Sequence, residues 1–123
     1  MIAIVYVSLV INVLVAGFWG IVLGFFPRTR FRDWPYGADN PGTRILSSLY
    51  LAIMFFSLYA LIEPDRLYSV CIFLFGFQII YKSLSAITVR DFRNPVVISN
   101  LLIVLLHSIS LGWLLKHAAG NLF

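Results

Sequence analysis

Acidic side chains are scarce in this sequence, and none is placed for proton chemistry inside a membrane. There are five, Asp33, Asp39, Glu63, Asp65 and Asp91, and no long apolar run contains one. Intramembrane carboxylates are the usual relay groups of proton-coupled transporters, so a carboxylate relay has no residue to use. Cysteine is scarcer still. Cys71 stands alone, which rules out an intrachain disulfide and leaves the redox compartment unread. With His107 and His117 as the only histidines, no Cys/His cluster has zinc-ligand spacing. A nucleophile elbow and a phosphate-cradling glycine loop are also absent. The sequence therefore assigns no catalytic residue, no metal and no cofactor. Proline never interrupts an apolar run: Pro27, Pro41, Pro64 and Pro95 sit at run boundaries, and Pro35 lies in the first polar stretch.

What is present is mostly apolar. Of 123 residues, 61% are apolar and 11% are charged, against about 25% charged in a typical soluble domain. A chain this short cannot hide so much apolar surface from water. Lipid is the solvent that fits, because a membrane span needs roughly 20 predominantly apolar residues. Four such segments are expected, over about 2–26, 44–62, 67–89 and 96–115. They are continuous rather than alternating, so they read as helices, which satisfy their own backbone groups in lipid. The expectation is an all-α, integral membrane four-helix bundle, a single transmembrane domain over residues 1–123. The first segment lacks a basic n-region and is too long for an h-region, so it reads as a retained span rather than a signal peptide. Asn40-Pro41 and Asn94-Pro95 suit N-caps with proline at the first helical position.

The net charge of +4 does not point to nucleic acid, because the basic residues lie in short segments flanking apolar runs. Arg28, Arg30, Arg32 and Arg44 flank the first connection; Lys82, Arg90 and Arg93 flank the third. Arg66 and Lys116 alone belong to the other side. The positive-inside rule then puts both termini on the non-cytoplasmic side. The turns FRDWP (31–35) and FRNP (92–95) resemble each other, which reads as convergent turn chemistry rather than a repeat.

Several residues stand out within the spans. Ala16, Gly20 and Gly24 place a small residue at every fourth position, a helix-packing face. Packing against a neighbouring helix of the same chain is the simpler reading, and a dimer seam the other. Gln78 and Lys82 share one face of the third helix with Cys71, Phe75 and Ser85. Lys82 precedes Arg90 by eight residues, about 12 Å along a helix. Two readings of it stand: the ammonium snorkels to the interface, or it makes a polar contact inside the bundle, to a lipid phosphate or a partner carboxylate. Asn100 and His107 lie nearly on one face of the fourth helix, and Asn12 near the middle of the first. Together Asn12, Gln78, Lys82, Asn100 and His107 are the ligand or polar-path candidates. Haem is not expected, since His117 lies on the same helix as His107 and offers no facing axial ligand.

The stretch GFFPRTRFRDWPYGADNPGTR, residues 24–44, is the most polar of the chain. Asp33 and Asp39 make a poor acid/base pair, each neighbouring arginine or turn residues. Arginines at the lipid–water boundary gain roughly 1 kcal/mol each from an anionic leaflet, and aromatic side chains suit the same depth. Arg28, Arg30, Arg32, Trp34, Tyr36, Arg90 and Arg93 are accordingly expected to contact lipid head groups.

The segment from RILSSLY to SLGWLL, residues 44–115, resembles small four-span bacterial membrane proteins of the DoxX-like kind. The likeness lies in an Arg opening the second helix, a short acidic outer turn, a Gln-x-x-x-Lys-Ser stretch and an Asn-Pro turn. It implies a bacterial inner membrane and carries no functional residue across. The expected function is a non-enzymatic accessory or assembly subunit, with membrane lipids and either its own copies or a larger membrane complex as partners. One alternative is a small oligomeric transporter or channel with Lys82, Gln78 and His107 lining the path. A second is a membrane enzyme acting on lipid or isoprenoid head groups.

Overall fold

In the computed structural model, which describes residues 2–118, the chain is all-helical, with no strand among the described residues. Four helices are long and apolar enough to cross a membrane. These are α1 (Ala3–Phe25), α2 (Pro41–Ile62), α3 (Leu67–Val89) and α4 (Pro95–Lys116). At about 1.5 Å per residue each runs roughly 33–35 Å, enough for a hydrocarbon core of about 30 Å. A 3₁₀ turn at Arg30–Arg32 leads into a short helix, Asp33–Tyr36, between α1 and α2. A second 3₁₀ turn, Pro64–Arg66, joins α2 to α3.

The helix ends follow from local chemistry. α2 begins at Pro41, three residues before the expected start at 44, because Asn40 and Thr43 form a reciprocal capping box and proline fits the first helical turn. Asn94 caps α4 in a related way, accepting from the backbone of Val96 and Val97. α3 stops where Arg90 turns left-handed, with φ 57°, a cap conformation usually filled by glycine. Within α1 the residues Asn12–Ala16 form a π-helical turn. Such turns are rare and concentrate at functional sites.

α1 packs closely on α2 and α3 on α4, as two antiparallel hairpins, and α1 also lies against α4. α2 and α3 touch less. Ala16 is buried, and Gly20 and Gly24 face α2. A β-carbon on Gly20 would lie 2.9 Å from Leu51, and one on Gly24 would meet the Ser47 side chain. The Ser47 hydroxyl donates to the Gly20 carbonyl at 2.6 Å. The small-residue face is thus occupied within the chain.

Large apolar side chains such as Leu14, Phe55, Phe73, Ile80 and Leu102 point outward. Ser8, Asn12, Ser57, Gln78, Lys82, Asn100, His107 and Ser110 are buried. A soluble bundle would reverse that distribution.

Candidate functional site

The buried polar side chains form a file along the bundle axis. Counted from the end that carries the first and third connections, helical rise puts Trp19 and Asn100 about 9 Å deep and Lys82 about 12 Å. Gln78 follows at about 18 Å, Asn12 and His107 at about 20 Å, and Ser8 and Ser110 at about 25 Å. Each of these residues sits on the inward face of its helix because residues three, four or seven apart share a face. The cluster draws on α1, α3 and α4, with Tyr50 supplied by α2.

Direct contacts join members of the file in pairs across the helices. Lys82 Nζ donates to Asn100 Oδ1 at 2.9 Å and lies 5.1 Å and 5.8 Å from the ring centroids of Tyr81 and Tyr50. Those separations suit cation–π attraction. His107 Nε2 lies 2.9 Å from Asn12 Oδ1. An amide oxygen only accepts, so Nε2 carries the proton. The His107 ring stacks on Phe75, with centroids 4.6 Å apart. Farther along, the Ser8 and Ser110 hydroxyls are 2.7 Å apart, and Ser110 Oγ also donates to the Ile4 carbonyl at 3.2 Å.

Other groups are left over. Asn12 Nδ2, Gln78 Nε2, Tyr81 OH and His107 Nδ1 are buried without a hydrogen-bond partner. Buried polar groups in proteins are nearly always paired, and each exception calls for an explanation. Between the helices lies a small, mostly enclosed cavity of about 10 Å³, lined in part by Asn12, Trp19, Tyr36, Tyr50, Gln78, Lys82 and Asn100. That volume holds about one water molecule.

Lys82 does not snorkel. Its side chain is 4% exposed, and the Asn100 amide and two tyrosine rings retain the ammonium inside the bundle. Nor does it meet a carboxylate: among the described residues the ion pairs all involve Asp39, which lies in the first connection.

The first connection closes this end. The Tyr36 hydroxyl is 2.9 Å from that of Tyr50, and the Tyr36 ring packs edge-on against Trp19 with centroids 4.9 Å apart. Burial, reinforced by Tyr50, pushes the Tyr36 phenol above its ordinary titration range, so it stays a neutral donor. Asn94 Nδ2 donates to the Pro35 carbonyl at 3.0 Å, tying the short helix to the start of α4.

Arg32 corrects the expectation that all loop arginines face the head groups. It is 0% exposed. Its guanidinium donates to the Leu23 carbonyl at 3.4 Å and to Thr43 Oγ1 at 3.1 Å, and lies 3.9 Å from Asp39. It thereby supplies a donor and positive charge to the carbonyl end of α1, where both are favourable. Tyr36 likewise turns inward rather than joining an aromatic belt. Arg28, Arg30, Trp34, Arg90 and Arg93 are exposed at this end. Asp39 is held by Arg44 through contacts of 2.8–3.3 Å, which keep its carboxyl below the usual carboxylate range.

Four contributors were not singled out by the sequence: Ser8, Trp19, Tyr50 and Ser110. Two carried a usable signal. Ser8 precedes Asn12 by four residues and Ser110 follows His107 by three, so each extends an inward polar face. Among the described residues no group of three or more His, Cys, Asp or Glu side chains is placed to hold a metal. No family model, curated protein or solved structure matches the chain.

Proposed function

We propose that the protein is a small membrane transporter or channel, working as an oligomer, whose solute passes along the buried file with Lys82, Gln78 and His107 lining its way. The observation that carries this reading is the axial file itself. Polar and ionisable groups inside a span are costly, and where they persist they mark solute and ion pathways. The π-helical turn that starts at Asn12 falls on the same file. Because Tyr36 and Tyr50 line the cavity and hydrogen-bond to each other, passage along the file requires that pair to part.

Reconstitution into liposomes tests the proposal. Lys82→Met is expected to reduce solute flux at least tenfold while circular dichroism still shows the helical fold. Undiminished flux in that variant would sink the reading.

Within the same proposal the termini lie outside the cytoplasm and the membrane is a bacterial inner membrane. The excess of Lys and Arg around the first and third connections supports the orientation. The layout likeness to DoxX-like proteins supports the location.

An accessory or assembly role remains the second reading, favoured by one feature. An apolar groove of about 520 Å³ opens between α2 and α3, lined by residues that include Leu49, Phe56, Phe73 and Phe77. Purification from native membrane with a stoichiometric protein partner is the outcome this reading expects; recovery of the chain alone counts against it. Head-group enzymology loses support, since Arg32 is engaged internally and unavailable to a phosphate.

A further inference from the structure

The buried Lys82 ammonium lines a small cavity and meets no carboxylate among the described residues, and we propose that the cavity binds a small monovalent anion, close to water in size, at Lys82. The inference rests on the solute-pathway reading and gives that solute a chemical class.

Lys82 is a buried ammonium with one hydrogen bond, to Asn100, and aromatic rings on other sides. No carboxylate of the chain lies in any apolar run. The same cavity is lined by Asn12 and Gln78, which are 2% and 1% exposed and whose side-chain nitrogens have no partner. A buried charge normally requires a counter-charge, and buried donors require acceptors.

The occupant follows by elimination. A cation would be repelled by the Lys82 ammonium. Water accepts at most two N–H bonds and leaves the ammonium uncompensated. An anion neutralises the charge and can also accept from the unpartnered amide nitrogen of Gln78, one helical turn from Lys82. One ammonium balances one negative charge, and a cavity of about 10 Å³ excludes sulfate and phosphate. Halides are the appropriate probes. Exposed Arg28, Arg30, Arg90 and Arg93 ring the end nearest the cavity and would raise the local anion concentration there.

Gln78 provides the decisive variants, because its nitrogen bonds to nothing in the protein and it precedes Lys82 by one helical turn. Gln78→Glu would place a fixed carboxylate beside the ammonium in the favourable i, i+4 order and so displace the anion. The full chain in detergent or lipid is titrated with sodium fluoride and sodium chloride, with sodium sulfate as the comparison. Calorimetry and the fluorescence of Trp19, which lines the cavity, report occupancy.

Saturable binding of a halide is expected, with none for sulfate. Gln78→Leu is expected to weaken it about tenfold, the effect of losing one hydrogen bond to a charged group. Gln78→Glu and Lys82→Met are expected to abolish it. If Lys82→Met does not fold, the two Gln78 variants decide. Absence of anion binding by folded wild-type protein, or binding unchanged in Gln78→Glu, overturns the inference. Flux indifferent to Lys82 removes the pathway reading itself.

Discussion

Asn12 and His107 bridge α1 and α4 by one hydrogen bond of 2.9 Å in a fully buried setting. Removing either partner leaves the other desolvated and unpaired, whereas replacing both removes the demand along with the bond. Asn12→Leu and His107→Leu are each expected to destabilise the bundle, and the double variant to cost less than their sum. Interhelical bonds in membranes are worth about 0.6–1.7 kcal/mol, so a double-mutant cycle read by detergent-induced unfolding should return a coupling in that range. A coupling indistinguishable from zero would show that the contact does not hold the two helices in register. These two residues were legible in the sequence because an amide or imidazole inside an apolar run is conspicuous and helical spacing gives its face. Hydroxyls were not. Ser57 and Ser108 bond back to carbonyls of their own helices, at Ile53 and Val104, a local alternative open to any serine in a helix. Only helical spacing from Asn12 and His107 sets apart Ser8 and Ser110, which bond to each other between helices.

Among elements, the first connection departed most from its sequence reading. Arg28, Arg30 and Arg32 alternate and look equivalent along the chain, yet one is fully buried and two are exposed. What distinguishes Arg32 is the carbonyl end of α1 and the Thr43 hydroxyl above it, both brought within reach by the 3₁₀ turn. That meeting is tertiary and leaves no local pattern. The helices themselves were legible, since span length, proline placement and Asn caps are local quantities. Arg32→Met is expected to destabilise the protein by about 1–3 kcal/mol, the usual cost of leaving buried partners unsatisfied. Arg30→Met should change it by less than about 0.5 kcal/mol. Equal effects in chemical unfolding would contradict the cap assigned to Arg32.

Asp39 adds a pH signature to the same element. Its folded carboxyl titrates below the ordinary aspartate value of 3.8 because Arg44 hydrogen-bonds the ionised form. A depressed carboxylate contributes stability above its unfolded pKa and loses it as pH falls through the folded value. Acid lability should therefore begin below about pH 4 and be flattened by Asp39→Asn. The exposed position of the pair limits the size of the effect. An unchanged acid limb in the variant would assign the lability to other carboxylates.

For the whole molecule, the outside-apolar, inside-polar distribution was legible in composition, because only lipid accommodates so many outward aromatic and branched side chains. The axial file was not, since it depends on four helices presenting their polar faces to one another at matching depths. Orientation is a separate property, governed by the charge of the connections rather than by packing. Single cysteines test it cleanly, because Cys71 is buried and should remain silent to a membrane-impermeant maleimide. Ala38 in the first connection and Glu63 between α2 and α3 are exposed at opposite ends of the bundle. If charge placement governs insertion, Glu63→Cys labels in intact spheroplasts, and Ala38→Cys labels only after the membrane is permeabilised. The reverse pattern would invert the topology. Labelling of both positions in intact cells would show that the chain inserts in two orientations, so that the basic excess around the first and third connections is too small to fix one.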